Sequence, residues 1–294
     1  MIKRTLFFTT PCRLSVRNRQ LIIEYPDNQE TVTMPIEDIG IVIVENLRVN
    51  ISIPLLNALC DNNCAVVLCD GRHMPASMLM PLESNTVQSE TYKFQIEAST
   101  PLKKRLWQQV VESKIKNQAA VLHAVGQDGF LLKPYYSNVK SGDSDNREGL
   151  AARLYWSALF GKGFVRDTEK EGINSFLNYG YAILRAGMAR AIMGSGLYPA
   201  FALFHKNRYN AFPLADDLME PYRPFVDEIV FSLIQEGDLT LDTGAKQALA
   251  RVMFRDTRIG EMTRPLEISL SLTSSSFAKC LRGESTKIVF PILE

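Results

Sequence analysis

Between residues 82 and 100 the chain changes its hydrophobic period, and that change limits the folds open to it. Leu82-Glu-Ser-Asn-Thr-Val-Gln-Ser-Glu is polar and has no apolar period, as expected of a linker. Before it lie short runs rich in β-formers, at residues 4–10, 13–16, 20–25, 31–34, 40–44 and 65–69. Turn residues such as Pro11, Asn18 and Pro26-Asp27-Asn28 separate the first of these. Pro54 near a start and Asp61-Asn62-Asn63 as a stop mark one helix among them. Beyond the polar stretch the spacing is helical. Leu102, Leu106, Val110, Ile115, Ala119 and Leu122 follow Thr100 as cap, and Gly126 stops the run. Further helical patterns cover residues 172–193, 214–235, 244–254 and 261–279, and another opens near Asp145 or Asn146 with Glu148 in its first turn. The expected fold class is α+β. A small N-terminal β-sandwich of antiparallel strands (1–81) is followed by a linker (82–100) and a larger all-α domain (101–294).

Hydrophobic residues make up 46% and charged residues 22%, so a sizeable core can form. No apolar run approaches the roughly 18 residues that span a bilayer, and the first ten residues do not read as a signal peptide. Cys12, Cys60, Cys64, Cys69 and Cys280 are odd in number and unevenly spread, which suits a reducing cytoplasm. Cys60, Cys64 and Cys69 lack a CxxC pair, so they read as buried apolar residues rather than a zinc site. Residues 1–90 hold 7 basic against 10 acidic side chains and the remainder 26 against 22, a net of −3 and then +4. A local basic groove is compatible with that bias. On the helix after Thr100, Lys103, Lys104, Arg105, Lys114 and Lys116 occupy polar faces, whose ordinary reading is a solvated surface.

Residues 202–228 concentrate the chemistry. His205 follows Gly194, Gly196 and Pro199, at the end of an irregular stretch, and Asp216, Asp217 and Glu220 come later. Asp217 and Glu220 are three apart and share a face if helical. One imidazole with carboxylates suits a hard divalent ion such as Mg²⁺ or Mn²⁺. Each residue also has an ordinary reading: a hydrogen-bonded histidine, and Asp216 as a first-turn acid.

Four ordered stretches resemble one family. They are Asn146-Arg-Glu-Gly-Leu-Ala-Ala-Arg-Leu-Tyr-Trp, Asn174-Ser-Phe-Leu-Asn-Tyr-Gly-Tyr-Ala-Ile-Leu, Gly196-Leu-Tyr-Pro through His205, and Leu214-Ala-Asp-Asp-Leu-Met-Glu-Pro-Tyr-Arg-Pro. Together they are similar to the CRISPR-associated integrase, the universal spacer-acquisition endonuclease. The wording Asn146-Arg-Glu-Gly and His205-Lys-Asn-Arg-Tyr resembles the type II variety, which accompanies a single large effector nuclease. The resemblance implies a metal-dependent helical domain in which Glu148, His205 and Glu220 are catalytic and hold Mg²⁺ or Mn²⁺, with Asp217 as a further ligand. It leaves open how Asp216, Asp217 and Glu220 divide the work. It places Asn178, Tyr179, Lys206 and Arg208 near the DNA backbone, and Lys103, Lys104, Arg105 and Arg223 join them as candidate phosphate contacts. It also implies double-stranded DNA as substrate, a homodimer formed through the β-rich domain, and a small second CRISPR-associated protein bridging two dimers. The implied reaction joins a DNA 3′-hydroxyl to a phosphodiester, which needs no ATP loop, and the sequence has no glycine-rich one. The alternatives are a structure-specific repair nuclease with the same ligands and a DNA-binding scaffold with none.

Overall fold

The computed structural model describes residues 3–26, 31–205, 207–237 and 240–294. Asp27 and Asn28 of the expected turn lie outside them, as does Lys206. The chain forms two compact units, Met1–Ser84 and Asn85–Glu294.

The first unit holds strands β1 (Arg4–Phe8), β2 (Arg13–Arg17), β3 (Gln20–Glu24), β4 (Val32–Pro35), β5 (Ile39–Val44), β6 (Asn50–Ile51), β7 (Ala65–Cys69) and β8 (Pro75–Leu79), with helix α1 (Ile53–Asp61) between β6 and β7. Two four-stranded sheets, ordered β1-β5-β7-β8 and β4-β3-β2-β6, form a sandwich. Leu14, Leu21 and Ile23 from one sheet and Val42, Val44 and Val66 from the other share its core with Leu55 and Leu59 of α1. The strands are not all antiparallel as expected, because β1 with β5, β5 with β7 and β2 with β6 run parallel. The reason is visible in β5, Ile-Gly-Ile-Val-Ile-Val, which is buried along its whole length. A strand covered on both faces suits a sheet interior with parallel neighbours, and α1 supplies one crossover.

The second unit begins inside the stretch expected as a linker, with helix α2 (Gln88–Glu97). Its anchor is polar. Gln95 donates to the carbonyls of Tyr198 and Phe201 and accepts the Tyr198 N–H at 2.9 Å. Docking by an amide leaves no apolar period to read. The remaining helices are α3 (Thr100–Ala124), capped by Ser99 rather than Thr100, α4 (Lys133–Tyr136), α5 (Arg147–Phe160), α6 (Ile173–Gly194), α7 (Pro213–Met219), α8 (Arg223–Gln235), α9 (Thr243–Ala250) and α10 (Leu266–Leu281). The run expected over 214–235 is interrupted by a 3₁₀ turn, Glu220–Tyr222. Pro221 and Pro224 remove the backbone N–H groups that a continuous α-helix would use there. Residues 262–265, expected in a helix, are a strand in a small antiparallel sheet: β9 (Asp256–Ile259), β10 (Met262–Pro265) and β11 (Pro291–Ile292), ordered β10-β9-β11.

α6 packs against α7, α8, α9 and α10, while α3 packs against α5, α8 and the 3₁₀ turn. Asn117 on α3 donates to the carbonyls of Pro221, 2.7 Å away, and Pro291, 3.0 Å away, and so fixes that turn to the helix. None of the described helices is long and apolar enough to cross a membrane. Cys12, Cys64, Cys69 and Cys280 are buried, as the apolar reading of the cysteines expects.

Candidate active site

The buried face of α3 carries Trp107, Val110, Val111, Gln118 and Val121, and Lys114 projects from the middle of that stripe. The solvated-face reading of Lys114 is therefore corrected. Its ammonium stands 2.6 Å from Glu148 Oε1 and 2.6 Å from Glu220 Oε2, with the side chain only 13% exposed. Burial opposes the charge on Lys114, but the two carboxylates outweigh it and hold the ammonium above its ordinary pKa.

Local structure aims each carboxylate. Asn146 caps α5 from a left-handed conformation, φ 54°, accepting the Gly149 N–H at 3.2 Å. A Cβ on Gly149 would stand 2.6 Å from Asn146 Oδ1, so any larger residue there would push the capping side chain aside. Asp143 accepts the N–H groups of Arg147 and Glu148, at 2.7 and 3.1 Å, and fixes the first turn that presents Glu148. Glu220 opens the 3₁₀ turn, where its Oε1 lies 3.0 Å from Arg223 Nε. Burial alone would raise the Glu220 pKa, yet Arg223 and Lys114 pull it below the ordinary value.

His205 lies between α6 and α7. Its Nδ1 is 2.5 Å from Asp217 Oδ1, and Asp217 Oδ2 accepts the N–H groups of Leu203 and Phe204, each at 2.8 Å. The hydrogen bond to Asp217 raises the His205 pKa against the effect of burial, and Glu220 and Glu148 add to the rise. Burial raises the Asp217 pKa despite those donors. Trp107 stacks face to face on Phe204, centroids 4.4 Å apart, and meets the His205 ring edge-on at 5.2 Å. Asp216 pairs instead with Arg185, at 3.0 Å, and with the Asn210 amide at 2.6 Å. The three acids that sequence spacing treats alike thus have different partners: Arg185 for Asp216, His205 for Asp217, Lys114 and Arg223 for Glu220.

Among the described residues no three His, Cys, Asp or Glu side chains stand together as a metal cage. Glu148 and Glu220 converge on the Lys114 cation, and His205 is drawn to Asp217. The donors still suit a hard ion. Two carboxylates gather round one positive charge, and committing Nδ1 to Asp217 leaves Nε2 as the ring nitrogen that a ligand could use.

Beside Glu220 opens a cavity of about 170 Å³, lined by Lys114, Trp156, Arg166, Tyr181, Arg223 and Asp227 among others. Arg166 is gripped by Asn174 Oδ1 at 3.0 Å and Asn178 Oδ1 at 2.7 Å. Arg166 and Arg223 both lie over the Tyr181 ring, 5.4 and 4.6 Å from its centroid. Asp227 accepts the hydroxyls of Tyr155 and Tyr181, and burial pushes its carboxyl up to about 7 against those bonds.

Of the expected DNA contacts, Tyr179 is fully enclosed, with Lys246 over its ring. Asn178 spends its amide on Arg166 and the Thr168 carbonyl. Arg223 is tied to Glu220, Lys103 is half-buried, and Lys104, Arg105 and Arg208 are exposed. Lys114, Trp107, Arg166 and Asp227 border this site although none of them belongs to the candidate set drawn from the motifs. For Lys114 the signal was present, since it falls seven residues after Trp107 and four before Gln118, on the buried stripe.

Residues 6–266 match the family described as CRISPR associated protein Cas1, and the chain belongs to it. A CRISPR-associated endonuclease Cas1 from Neisseria meningitidis serogroup C (strain 8013) is 41% identical over 257 residues, which cover 86% of this chain and 84% of that protein. The fold is similar to a casposase bound to integration product, with TM-score 0.79 and 20% identity over 98% of this chain and 92% of that one. It is also similar to a chain of a Cas6-RT-Cas1–Cas2 complex, with TM-score 0.72 and 17% identity over 97% of this chain and 35% of that one.

Proposed function

We propose that Glu148, Glu220 and Nε2 of His205 form the catalytic set and hold a divalent ion, Mg²⁺ or Mn²⁺, at the carboxylate pair where Lys114 stands. The observation that carries this reading is the approach of Glu148 and Glu220, from separate elements, to within 2.6 Å of one cation. When bound, such an ion polarises a phosphodiester oxygen and makes a hydroxyl more acidic. Asp217 acts as the residue that orients His205, because its oxygens are taken by three backbone N–H groups and the imidazole. Asp216 fastens the preceding loop through Asn210 and Arg185.

The protein is an integrase and endonuclease that joins DNA ends during CRISPR spacer acquisition. A 3′-hydroxyl of the captured DNA attacks a phosphodiester of the repeat, one ester bond forms as another breaks, and a new 3′-hydroxyl leaves. No ATP is consumed. Arg223 and Lys114 neutralise charge that develops on the phosphoryl oxygens. Lys103, Lys104, Arg105, Lys206 and Arg208 contact the duplex backbone, while Asn178 holds Arg166 at the cavity. Water in place of the 3′-hydroxyl turns the same site into a nuclease.

By the same reading the chain works in the cytoplasm as a homodimer paired through its first unit. It assembles with a small second adaptation protein, in keeping with the Cas2 in the complex whose chain it resembles in fold. Residues Asn146-Arg-Glu-Gly and His205-Lys-Asn-Arg-Tyr favour the type II variety.

The deciding experiment incubates the protein, its small partner and Mn²⁺ with a 3′-hydroxyl duplex and a repeat-bearing plasmid. Strand-transfer product that disappears when the 3′ end is blocked is the expected result. Glu148→Ala and His205→Ala should each abolish joining and cutting while DNA binding persists. Hydrolysed ends alone, indifferent to blocking, would make the protein a repair nuclease.

A further inference from the structure

We infer that Lys114 is a tethered substitute for the divalent ion, holding the Glu148–Glu220 pair together when no ion is bound and yielding its place when one enters. The inference rests on the proposed ion site and adds a function for a residue outside the ligand set.

Three observations support it. The ammonium bridges the two carboxylates at 2.6 Å on each side, so their oxygens are held no more than twice that distance apart. A small divalent ion with bonds of about 2.1 Å needs only a slight further approach. Second, the charges balance without an ion: Lys114 and Arg223 face Glu148 and Glu220. A divalent ion added to this set gives a net double positive charge, which a phosphodiester then meets. Third, the displaced ammonium has somewhere to go. Lys114 also lines the cavity of about 170 Å³ beside Glu220, whose wall holds the acceptors Gln118 and Asp227 together with the Arg166 and Arg223 cations. Water can fill a polar space of that size, so the ammonium need not enter apolar core. Ion entry thereby turns a neutral cradle into a phosphate-attracting one, with Lys114 placed at its wall.

The test measures Mn²⁺ affinity of the full chain by the loss of the free Mn²⁺ resonance, with no DNA and no activity readout. Lys114→Met removes the competing charge and Lys114→Gln keeps hydrogen-bonding capacity, so at least one should preserve the fold, checked by circular dichroism. Both variants should bind Mn²⁺ at least tenfold more tightly than wild type. Their melting temperatures should drop without ion, and Mn²⁺ should raise them by more than it raises wild type. Glu148→Gln should lose that binding. Equal Mn²⁺ affinity in wild type and the Lys114 variants would overturn the exchange while leaving the ion site standing. Weaker binding in both folded variants would overturn it too, since Lys114 would then be supporting the ion. If neither wild type nor variants bind Mn²⁺, the ion-site reading itself fails, and the exchange with it.

Discussion

Asp217 Oδ1 lies 2.5 Å from Nδ1 of His205, and the same carboxylate accepts the backbone N–H groups of Leu203 and Phe204. One buried acid thus sets both the ring and the loop that carries it. Asp217→Asn leaves a single carbonyl oxygen for those donors and takes away the negative charge facing the imidazole. Removing such a partner costs about 10- to 100-fold in metal affinity or activity. An unsatisfied buried N–H adds a loss of roughly 1–3 kcal/mol in stability. Glu220→Gln, by contrast, should abolish Mn²⁺ binding outright. Titrating Mn²⁺ into both variants separates an orienting acid from a ligand. Equal loss in the two would make Asp217 a ligand.

Gly180 and Gly187 on α6 face different neighbours, and the difference predicts unequal outcomes for alanine. A Cβ at Gly180 would stand 2.4 Å from Val226 Cγ1, a short branched side chain on α8. At Gly187 the nearest atom is the Met253 methyl at 2.5 Å, the end of a flexible chain. Alanine gains about 1 kcal/mol of helix propensity over glycine at either site. Overpacking costs about 1–3 kcal/mol where the neighbour cannot move. Gly180→Ala should therefore destabilise, with Val226→Ala restoring part of the loss, and Gly187→Ala should be close to neutral. Urea unfolding midpoints of the four proteins check this.

Asp227 sits between the Tyr155 and Tyr181 hydroxyls, and burial lifts its carboxyl to about 7, against opposition from those hydroxyls, Arg223 and Lys114. The folded state keeps this proton up to about pH 7, whereas the unfolded chain releases it near 4. The contribution is therefore fully present below pH 4, falls as pH rises to 7 and is constant above. Its full span is on the order of 4 kcal/mol. Asp227→Asn does not titrate. Its stability relative to wild type should rise between pH 5 and 7.5, measured by denaturant unfolding at each pH. A parallel dependence in both proteins would exclude Asp227 as the source.

These residues also mark what the sequence could and could not reveal. β5 is legible because six apolar or small residues in a row have few alternatives to a covered strand. Its parallel neighbours are less so, since pairing depends on where α1 crosses. α2 was hidden because its burial rests on Gln95 and Thr91, which carry no apolar signal. In the site, spacing gave His205, Asp217 and Glu220 as a group but could not divide their tasks. That division depends on Pro221 ending the helix and on Arg185 reaching Asp216. Glu148 came from family resemblance alone, because no local pattern distinguishes it from a first-turn acid stabilised by the helix dipole.

The basic run at the start of α3 gives the last prediction. Lys103, Lys104 and Arg105 follow a first turn that contains no acid. The dipole there disfavours cations by about 0.3–1 kcal/mol each within the first turn, an effect that fades along the helix. Folding therefore gains little from placing three of them there. Lys104 and Arg105 are exposed, and the Lys104 stem passes Gly142, whose Cβ would lie 3.0 Å from Lys104 Cγ. Packing accounts for that stem but not for the two neighbouring charges. DNA phosphate supplies a reason for all three. Each contact to duplex releases counterions and contributes about 0.9 to the slope of log affinity against log salt. Replacing all three by alanine should lower that slope by roughly one to two and weaken binding alike across DNA sequences. Because Lys103 is half-buried, the two exposed residues should account for most of the change. Fluorescence anisotropy with an unrelated duplex, from 50 to 300 mM salt, gives the slope directly. An unchanged slope and affinity would return the run to the status of a solvated face.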